Sequence, residues 1–111
     1  MNEDIQTEFE PAAQVFRALA NPSRLFIVHQ LADGPRCVCE LTEMIGSDMS
    51  TISRHLGILR QAGIIQAHKV GQQVHYRLRI RCALDFFKCV DRVRKADAKT
   101  GTAAAAARSG C

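Results

Sequence analysis

The amino-acid sequence predicts a mainly α domain with a small β-hairpin. Three observations support this fold class. Apolar residues recur at helical spacing in successive segments between residues 10 and 61, each bounded by capping or breaking residues. Apolar and polar residues then alternate strictly over residues 74–80, after a glycine-containing turn, which indicates a β-hairpin. A further helical segment covers residues 83–95, so the predicted order is four helices, a hairpin and a last helix.

The bulk composition indicates one globular domain with a mildly basic surface. The chain has 111 residues and a formal net charge of +4, which suits an anionic partner. Its N-terminus, MNEDIQTEFE, is acidic and lacks the apolar run of a signal peptide, and no segment approaches the ~20 apolar residues of a membrane span. We therefore expect a cytoplasmic protein without membrane contact, whose five cysteines stay reduced.

The ends of the chain differ in composition from its centre. Residues 1–9 are polar and are expected to be flexible. Glu10-Pro11 is the predicted start of the first helix, because proline is tolerated at the first helical position. Residues 97–111 are alanine-rich, and we expect a disordered tail there. The predicted folded domain is therefore residues 10–96.

Capping residues separate the next helices. Asn21-Pro22 marks the start of the second helix, and the third is predicted over Val38–Ile45. A short turn at residues 46–48 separates it from the fourth helix, predicted from Met49 to Gln61. Asp48 is the expected N-cap, and Gly63 suits the C-terminal end. Two helices joined by such a turn form a helix-turn-helix, and the basic hairpin after it completes a winged helix-turn-helix.

The fourth helix and the hairpin carry the residue types that contact nucleic acid. Short polar side chains near a helix N-terminus allow close approach to the major groove, and Arg54 is the best candidate for bidentate guanine contacts. The hairpin residues are expected to reach the DNA backbone or the minor groove. The alternatives are that the hydroxyl residues only cap the helix and that His55 is a partly buried core residue. The candidate DNA-binding residues are Met49, Ser50, Thr51, Ser53, Arg54, His55, Lys69, Gln72, Gln73, His75 and Arg77.

The last helix is apolar over more than one face, which predicts a homodimer formed through the first and last helices. An enzyme is disfavoured, because the sequence shows no arrangement of nucleophile, base and orienting group and no phosphate-binding loop.

Two cysteines stand directly at the predicted start of the third helix. Thiolates are soft ligands that select soft metals and metalloids, and Cys37 and Cys39 are therefore the candidate sensing pair. Side chains at i and i+2 do not face each other on a regular helix, so joint ligation requires a distorted helix start. Cys89 is the first candidate for a third ligand, with Cys82 or Cys111 as alternatives.

Several motifs in this order resemble the bacterial ArsR/SmtB-type repressors. They are Ala20-Asn21-Pro22-Ser23-Arg24, Cys37-Val38-Cys39-Glu40-Leu41, Ser50-Thr51-Ile52-Ser53-Arg54-His55-Leu56, Leu59-Arg60-Gln61-Ala62-Gly63-Ile64 and Tyr76-Arg77-Leu78. The resemblance implies a homodimeric transcriptional repressor that leaves its operator when a metal(loid) or other inducer binds, with no required cofactor. For two paired domains we expect an inverted-repeat DNA operator.

The chain departs from each known version of this sensor. The arsenic-sensing version has a third thiol three residues after the second, where this chain has Thr42. The cadmium/lead version has N-terminal cysteines, whereas none precedes Cys37 here, and the zinc version pairs Asp with His on the last helix, where this chain offers Asp85 and Asp91 but no His. Arsenite or antimonite is the leading inducer. The alternative is a thiol redox or persulfide sensor that uses Cys37 or Cys39 with Cys89.

Overall fold

The computed structural model describes residues 2–100 and confirms the predicted winged helix-turn-helix fold. The helices are α1 (Glu3–Leu19), α2 (Pro22–Ala32), α3 (Val38–Ile45), α4 (Met49–Gln61) and α5 (Cys82–Thr100). The strands are β1 (Arg36–Cys37), β2 (Ile65–Val70) and β3 (Gln73–Leu78). The chain divides into two compact units, Met1–Ile80 and Arg81–Cys111. Within the described residues, no helix is long and apolar enough to cross a membrane.

The first helix begins earlier than the sequence predicted. It starts at Glu3, so the predicted start at Pro11 was wrong, and residues 3–9 are helical. The Asn2 side chain accepts a hydrogen bond of 2.7 Å from the Asp4 N–H, which caps the helix. The carboxylates of Glu3 and Asp4 also stabilise the helix, because their negative charges lie at the positive end of the helix dipole. Pro11 lies inside the helix, although it removes one backbone donor there.

The last helix is also longer than predicted. It continues to Thr100 instead of ending at Lys95, so the first residues of the predicted tail are helical. Residues 101–111 lie outside the described part of the chain, and so does the prediction that they form a disordered tail. The outer domain boundaries at residues 10 and 96 stay predictions.

The helix-turn-helix has the predicted bounds. The α3 helix ends at Gly46, whose φ of +81° is a left-handed conformation that favours glycine, and its N–H donates to the Thr42 carbonyl at 2.9 Å. Asp48 has extended backbone angles and is the N-cap residue of α4. The Thr51 hydroxyl donates to the Asp48 carboxylate across this first turn. The turn thus sets the direction in which α4 leaves α3.

A Schellman motif ends α4 and leads into the hairpin. The Gly63 N–H donates to the Arg60 carbonyl at 3.0 Å, and the Ile64 N–H donates to the Leu59 carbonyl at 3.0 Å. Gly63 has a φ of +80°, which confirms the predicted role of glycine at this end. These two bonds satisfy carbonyls that the helix leaves open and direct the chain into β2.

The three strands form one antiparallel sheet in the order β1-β3-β2. The β2–β3 hairpin was predicted, and the loop between its strands is Gly71-Gln72. The short β1 strand was missed because two residues cannot show an alternating pattern. It pairs with β3, with Arg36 opposite Tyr76 and Cys37 opposite His75.

The apolar core of the Met1–Ile80 unit lies between α2, α3, α4 and the base of the hairpin. Its fully buried side chains contribute the hydrophobic term that holds α4 in place, roughly 1.5–3 kcal/mol for each large side chain. The fully buried residues are Ile27, Val28, Leu31, Leu41, Ile52, Leu56, Leu59, Ile64 and Ile65. α4 therefore has one face in the core and the opposite face in solvent.

Candidate nucleic-acid interface and thiol site

The exposed face of α4 carries most of the helical residues predicted to contact DNA. Met49, Ser50, Ser53 and Arg54 are exposed, and Thr51 is half-buried. The Thr51 hydroxyl donates to the Asp48 carboxylate, a bond between two side chains that caps no backbone N–H of α4. This face combines short polar side chains, one guanidinium group and a helix N-terminus, which is the chemistry expected of a surface that enters the major groove.

His55 is an exception, and its predicted place on the DNA-contacting face was wrong. Only 7% of the residue is exposed. Its Nδ1 lies 3.2 Å from Nη1 of Arg24, so the ring bonds to another helix of the same chain. The spacing of Ile52, His55 and Leu59 puts all three on the inward face of α4, and this periodicity is the signal that could have identified His55 as buried.

Burial and nearby positive charge change the protonation of His55. Loss of solvation lowers its pKa from the usual value, and the charges of Arg24 and Arg54 lower that pKa further. A neutral imidazole can accept the hydrogen bond from Arg24, whereas an imidazolium would place two cations in contact. His55 is therefore a neutral packing residue at neutral pH.

Arg24 connects three helices, a role that the sequence did not reveal. Its backbone N–H is capped by the Asn21 side chain at 3.2 Å, and its Nε donates to the Ala18 carbonyl at 2.6 Å. Its guanidinium group then meets His55 on α4. Arg24 therefore fixes the position of α4 relative to α1 and α2.

The hairpin presents the remaining predicted DNA contacts. Lys69, Gln72, Gln73 and Arg77 are exposed along β2, β3 and their loop. His75 is half-buried, and its Nε2 lies 3.3 Å from Oε1 of Gln73. The hairpin carries no acidic residue between positions 66 and 79, which suits an approach to phosphates, and the exposed Val70 and Val74 flank its loop.

The two predicted sensor thiols lie on either side of a strand-to-helix junction. Cys37 is the N-cap residue of α3, with extended backbone angles, and is buried with 8% exposed. Cys39 is in the first turn of α3 and is exposed. The predicted position of the two thiols at the start of the third helix agrees with the structure, but Cys37 also belongs to β1, a strand that the sequence did not predict.

The Glu40 carboxylate contacts two residues of this junction, Arg36 and Cys37. The backbone N–H of Cys37 donates to Oε1 of Glu40 at 3.2 Å, and Nη1 of Arg36 lies 3.5 Å from Oε2 of the same carboxylate. The backbone hydrogen bond from Cys37 is the main reason that the pKa of Glu40 is lowered. The Cys37 thiol and the charges of Arg36 and His75 lower it further. An ionised Glu40 thus stabilises the backbone turn in which Cys37 lies.

Within the described residues, the other thiols considered as ligands do not form part of a metal-binding cluster. Cys82 and Cys89 are both exposed on α5, and Cys111 lies outside the described residues. Among residues 2–100, no three His, Cys, Asp or Glu side chains are grouped so that they could hold a metal ion. The third ligand proposed for the thiol pair stays a prediction.

Comparison with known proteins identifies the family. The sequence profile of the bacterial regulatory proteins of the arsR family matches residues 21–67. An HTH-type transcriptional regulator of Methanocaldococcus jannaschii is 38% identical over 85 residues, which cover 76% of this chain and 96% of that protein. The arsenical resistance operon repressor of Escherichia coli is 44% identical over 66 residues, which cover 59% of this chain and 56% of that repressor.

A solved structure supports the same conclusion. It is a homodimeric winged helix-turn-helix DNA-binding domain from Mycobacterium bovis, described as a possible ArsR-family transcriptional regulator. Its TM-score with this chain is 0.72 at 28% sequence identity, and the match covers 86% of this chain and 88% of that domain. The sequence match and the fold agree with the exposed polar face of α4, and they exclude the enzyme interpretation. The chain belongs to the ArsR/SmtB-type family of winged helix-turn-helix transcriptional regulators.

Proposed function

We propose that the protein is a homodimeric repressor that leaves its operator when a thiophilic metal(loid) binds at Cys37 and Cys39. Arsenite and antimonite are the leading inducers. The position of the two thiols carries this proposal, because they stand at the start of α3, the helix directly before the DNA-contacting helix α4. The similarity to the arsenical resistance operon repressor of Escherichia coli supports the choice of arsenite.

DNA binding in this proposal uses the exposed face of α4 and the hairpin wing. The N-terminus of α4 enters the major groove, where Arg54 contacts a guanine and Ser50 and Ser53 contact base edges or phosphates. Lys69 and Arg77 on the wing bind the DNA backbone. Two such domains related by a twofold axis require an inverted repeat, with half-site centres about 10 bp apart.

The dimer is proposed to form through α1 and α5. Each helix carries large apolar side chains that are exposed in the single chain, which is typical of an interface. On α1 they are Ile5, Phe9 and Phe16, and on α5 they are Phe86, Val90 and Val93. The homodimeric state of the Mycobacterium bovis domain supports this assembly.

Arsenite chemistry fits two or three thiols at one site. Each thiol that binds As(OH)₃ replaces one hydroxide, and the thiol proton leaves with that hydroxide as water. Binding at Cys37 and Cys39 therefore forms two As–S bonds and releases two water molecules. A third thiol would complete a three-sulfur site, and the candidates are Cys89 and, after it, Cys82 or Cys111.

Inducer binding is expected to disturb the junction that positions α3. Cys37 is buried and Cys39 is exposed, so one arsenic atom can bind both only if the backbone near Cys37 moves. This movement puts strain on the Cys37–Glu40 hydrogen bond and on the pairing of β1 with β3. Because the buried Leu41 on α3 belongs to the core against which α4 packs, the change reaches the DNA-contacting helix.

The test is release of operator DNA from the reduced protein, followed by fluorescence anisotropy. Arsenite, antimonite, Cd²⁺, Pb²⁺ and Zn²⁺ are titrated separately, and each titration is repeated with Cys37→Ser, Cys39→Ser and Cys89→Ser. We expect arsenite or antimonite to release the wild-type protein, and Cys37→Ser and Cys39→Ser to stay bound. Hydrogen peroxide and a persulfide donor form the comparison arm.

The outcomes separate the two sensor types. If only peroxide or persulfide releases the operator, and mass spectrometry shows a disulfide between Cys89 and Cys37 or Cys39, the metal(loid) proposal is wrong and the redox alternative is correct. If Cys89→Ser responds fully to arsenite, the third thiol is not Cys89. Titrations at constant salt are essential, because phosphate contacts make the affinity for DNA salt-dependent.

A further inference from the structure

The small sheet brings together histidines that are distant in the sequence. His68 on β2 and His75 on β3 are directly opposite each other, and Cys37 on β1 is opposite His75 on its other side. Residues that are directly opposite in an antiparallel pair lie on the same face of the sheet. The sheet register therefore puts two imidazoles side by side in the wing, with a thiol next in the row.

The two rings lie close together, and one nitrogen of His68 has no hydrogen-bond partner among the described residues. The ring centroids are 6.0 Å apart and the ring planes are inclined by 44°. Nδ1 of His68 is buried and has no hydrogen-bond partner among the described residues. Nε2 of His75 lies 3.3 Å from the Gln73 side-chain oxygen, and a ring that donates its proton there presents the lone pair of Nδ1 to a ligand.

A buried nitrogen without a partner costs free energy unless a ligand occupies it. The bond from His75 to Gln73 has the form seen around metal-binding histidines, in which the second ring nitrogen donates to a nearby oxygen and so orients the ring. The Glu40 carboxylate interacts electrostatically with His75, which places an anionic group near this face. These features together indicate a cation that binds imidazole.

We propose that His68 and His75 form a two-histidine site on the wing for a divalent metal ion that prefers imidazole, with Zn²⁺ as the first candidate. The metal binds Nδ1 of both rings, and water completes its coordination. Because zinc–nitrogen bonds are about 2.0–2.1 Å long, the rings must turn toward each other from their present separation. A metal shared between β2 and β3 would hold the two strands of the wing together.

This site is distinct from the thiol pair and does not depend on the proposed function. It uses neither Cys39 nor any thiol of α5, and it is measured on protein without DNA. No group of three metal-ligating side chains is present within residues 2–100, so a metal here would have two protein ligands and depend on water for the rest of its coordination. Failure of the repressor proposal would leave this prediction intact, and the reverse also holds.

The experiment is a Zn²⁺ titration of the full-length, reduced Cys37→Ser/Cys39→Ser variant, followed by NMR of the histidine ring nitrogens. The double variant prevents the sensor thiols from competing for the metal. We expect the Nδ1 signals of His68 and His75 to shift together and to saturate, while His29, whose Nδ1 lies 2.8 Å from the Leu25 carbonyl, keeps its shifts. If other histidines shift and these two do not, the proposal is wrong.

Substitutions give a second readout in the same background. His68→Gln and His75→Gln are each expected to lower Zn²⁺ affinity at this site by at least about tenfold, and Gln73→Ala by about tenfold through loss of ring orientation. His29→Gln is the matched control and should leave the affinity unchanged. Unchanged affinity in His68→Gln would overturn the proposal, and the NMR titration decides the question if a variant fails to fold.

Discussion

The exposed face of α4 and the junction at Cys37 differ in how completely they are assembled in the free chain. The α4 side chains proposed to contact DNA stand on a helix with a Schellman motif at its end and a fully buried opposite face. At the junction, one thiol is buried, the other is exposed, and a carboxylate hydrogen bond holds the backbone between them. The proposed DNA-contacting surface is thus preformed, whereas the proposed thiol site must rearrange to bind one ligand at both sulfurs.

This difference suits a repressor that binds DNA in its unliganded state. A preformed surface loses little conformational entropy on binding, and this favours affinity for the operator. A site that must distort to bind its inducer converts binding energy into a change of structure.

The inward face of α4 should give the largest loss of stability. Leu56→Ala removes a fully buried side chain and is expected to lower the free energy of unfolding by about 2–5 kcal/mol. Arg60→Ala, an exposed position on the same helix, is the control and should change it by less than about 0.5 kcal/mol. Urea denaturation followed by circular dichroism measures both values. Equal effects would mean that the core does not hold α4.

The outward face of α4 should give a loss of DNA discrimination without a loss of stability. Arg54→Ala is expected to reduce the preference for operator over random DNA by about 1–3 kcal/mol, because one bidentate guanine contact is lost. Anisotropy titrations on both DNAs at the same salt concentration provide the measurement. If both affinities fall equally, Arg54 binds phosphate and the assignment to a base is incorrect.

A third thiol at position 42 should increase the affinity of the junction for arsenite. Thr42→Cys places a third thiol three residues after Cys39, and we expect about tenfold tighter arsenite binding, or about 1.4 kcal/mol. The Thr42 hydroxyl donates only to the Val38 carbonyl of its own helix at 2.8 Å, so its loss should be tolerated. Thr42→Ser is the control. An arsenite concentration for half-release that is equal in all three proteins would contradict a site at this junction.

The smallest effect should be a pH dependence that originates at His55. Its folded-state pKa is below the usual 6.5, so the unfolded chain binds a proton more readily. The stability that neutral His55 contributes is present above the usual pKa of 6.5 and is lost as the pH falls through the folded-state pKa. His55→Gln should therefore lower the stability of the protein near pH 7 but flatten its decline toward pH 5. If the stability of His55→Gln falls toward pH 5 with the same slope as that of the wild-type protein, another group is responsible for the pH dependence.

Local sequence signals predicted α3 and α4 with their observed bounds because every relevant interaction lies within a few residues. Gly46, Asp48 and Gly63 mark the turns, and the spacing of Ile52 and Leu59 marks the buried face. The start of α1 was missed because Pro11 was weighed above the cap at residues 2–4. The pairing of Cys37 with His75 was also missed, because it joins positions far apart in the sequence.

The same limit explains what the sequence showed of the candidate sites. The exposed polar residues of α4 were found from one helical period, and only His55 was placed on the wrong side. The contacts of Arg24 with His55 and of His68 with His75 join different elements, so no local pattern reveals them. The contact of Glu40 with Cys37 is local, because it is a capping box that spans three residues, and the sequence analysis overlooked it. Contacts between elements that are distant in the sequence are therefore the features that the sequence did not predict.

The proposed mechanism requires that ligand binding at the Cys37 junction changes the structure of α4. Backbone amide NMR of the free, reduced protein is recorded during a titration with arsenite. We predict that the amides of residues 37–41 and those of the first turn of α4 shift together and saturate at the same arsenite concentration. Shifts at residues 37–41 with an unchanged first turn of α4, in a protein that still releases its operator, would contradict the account.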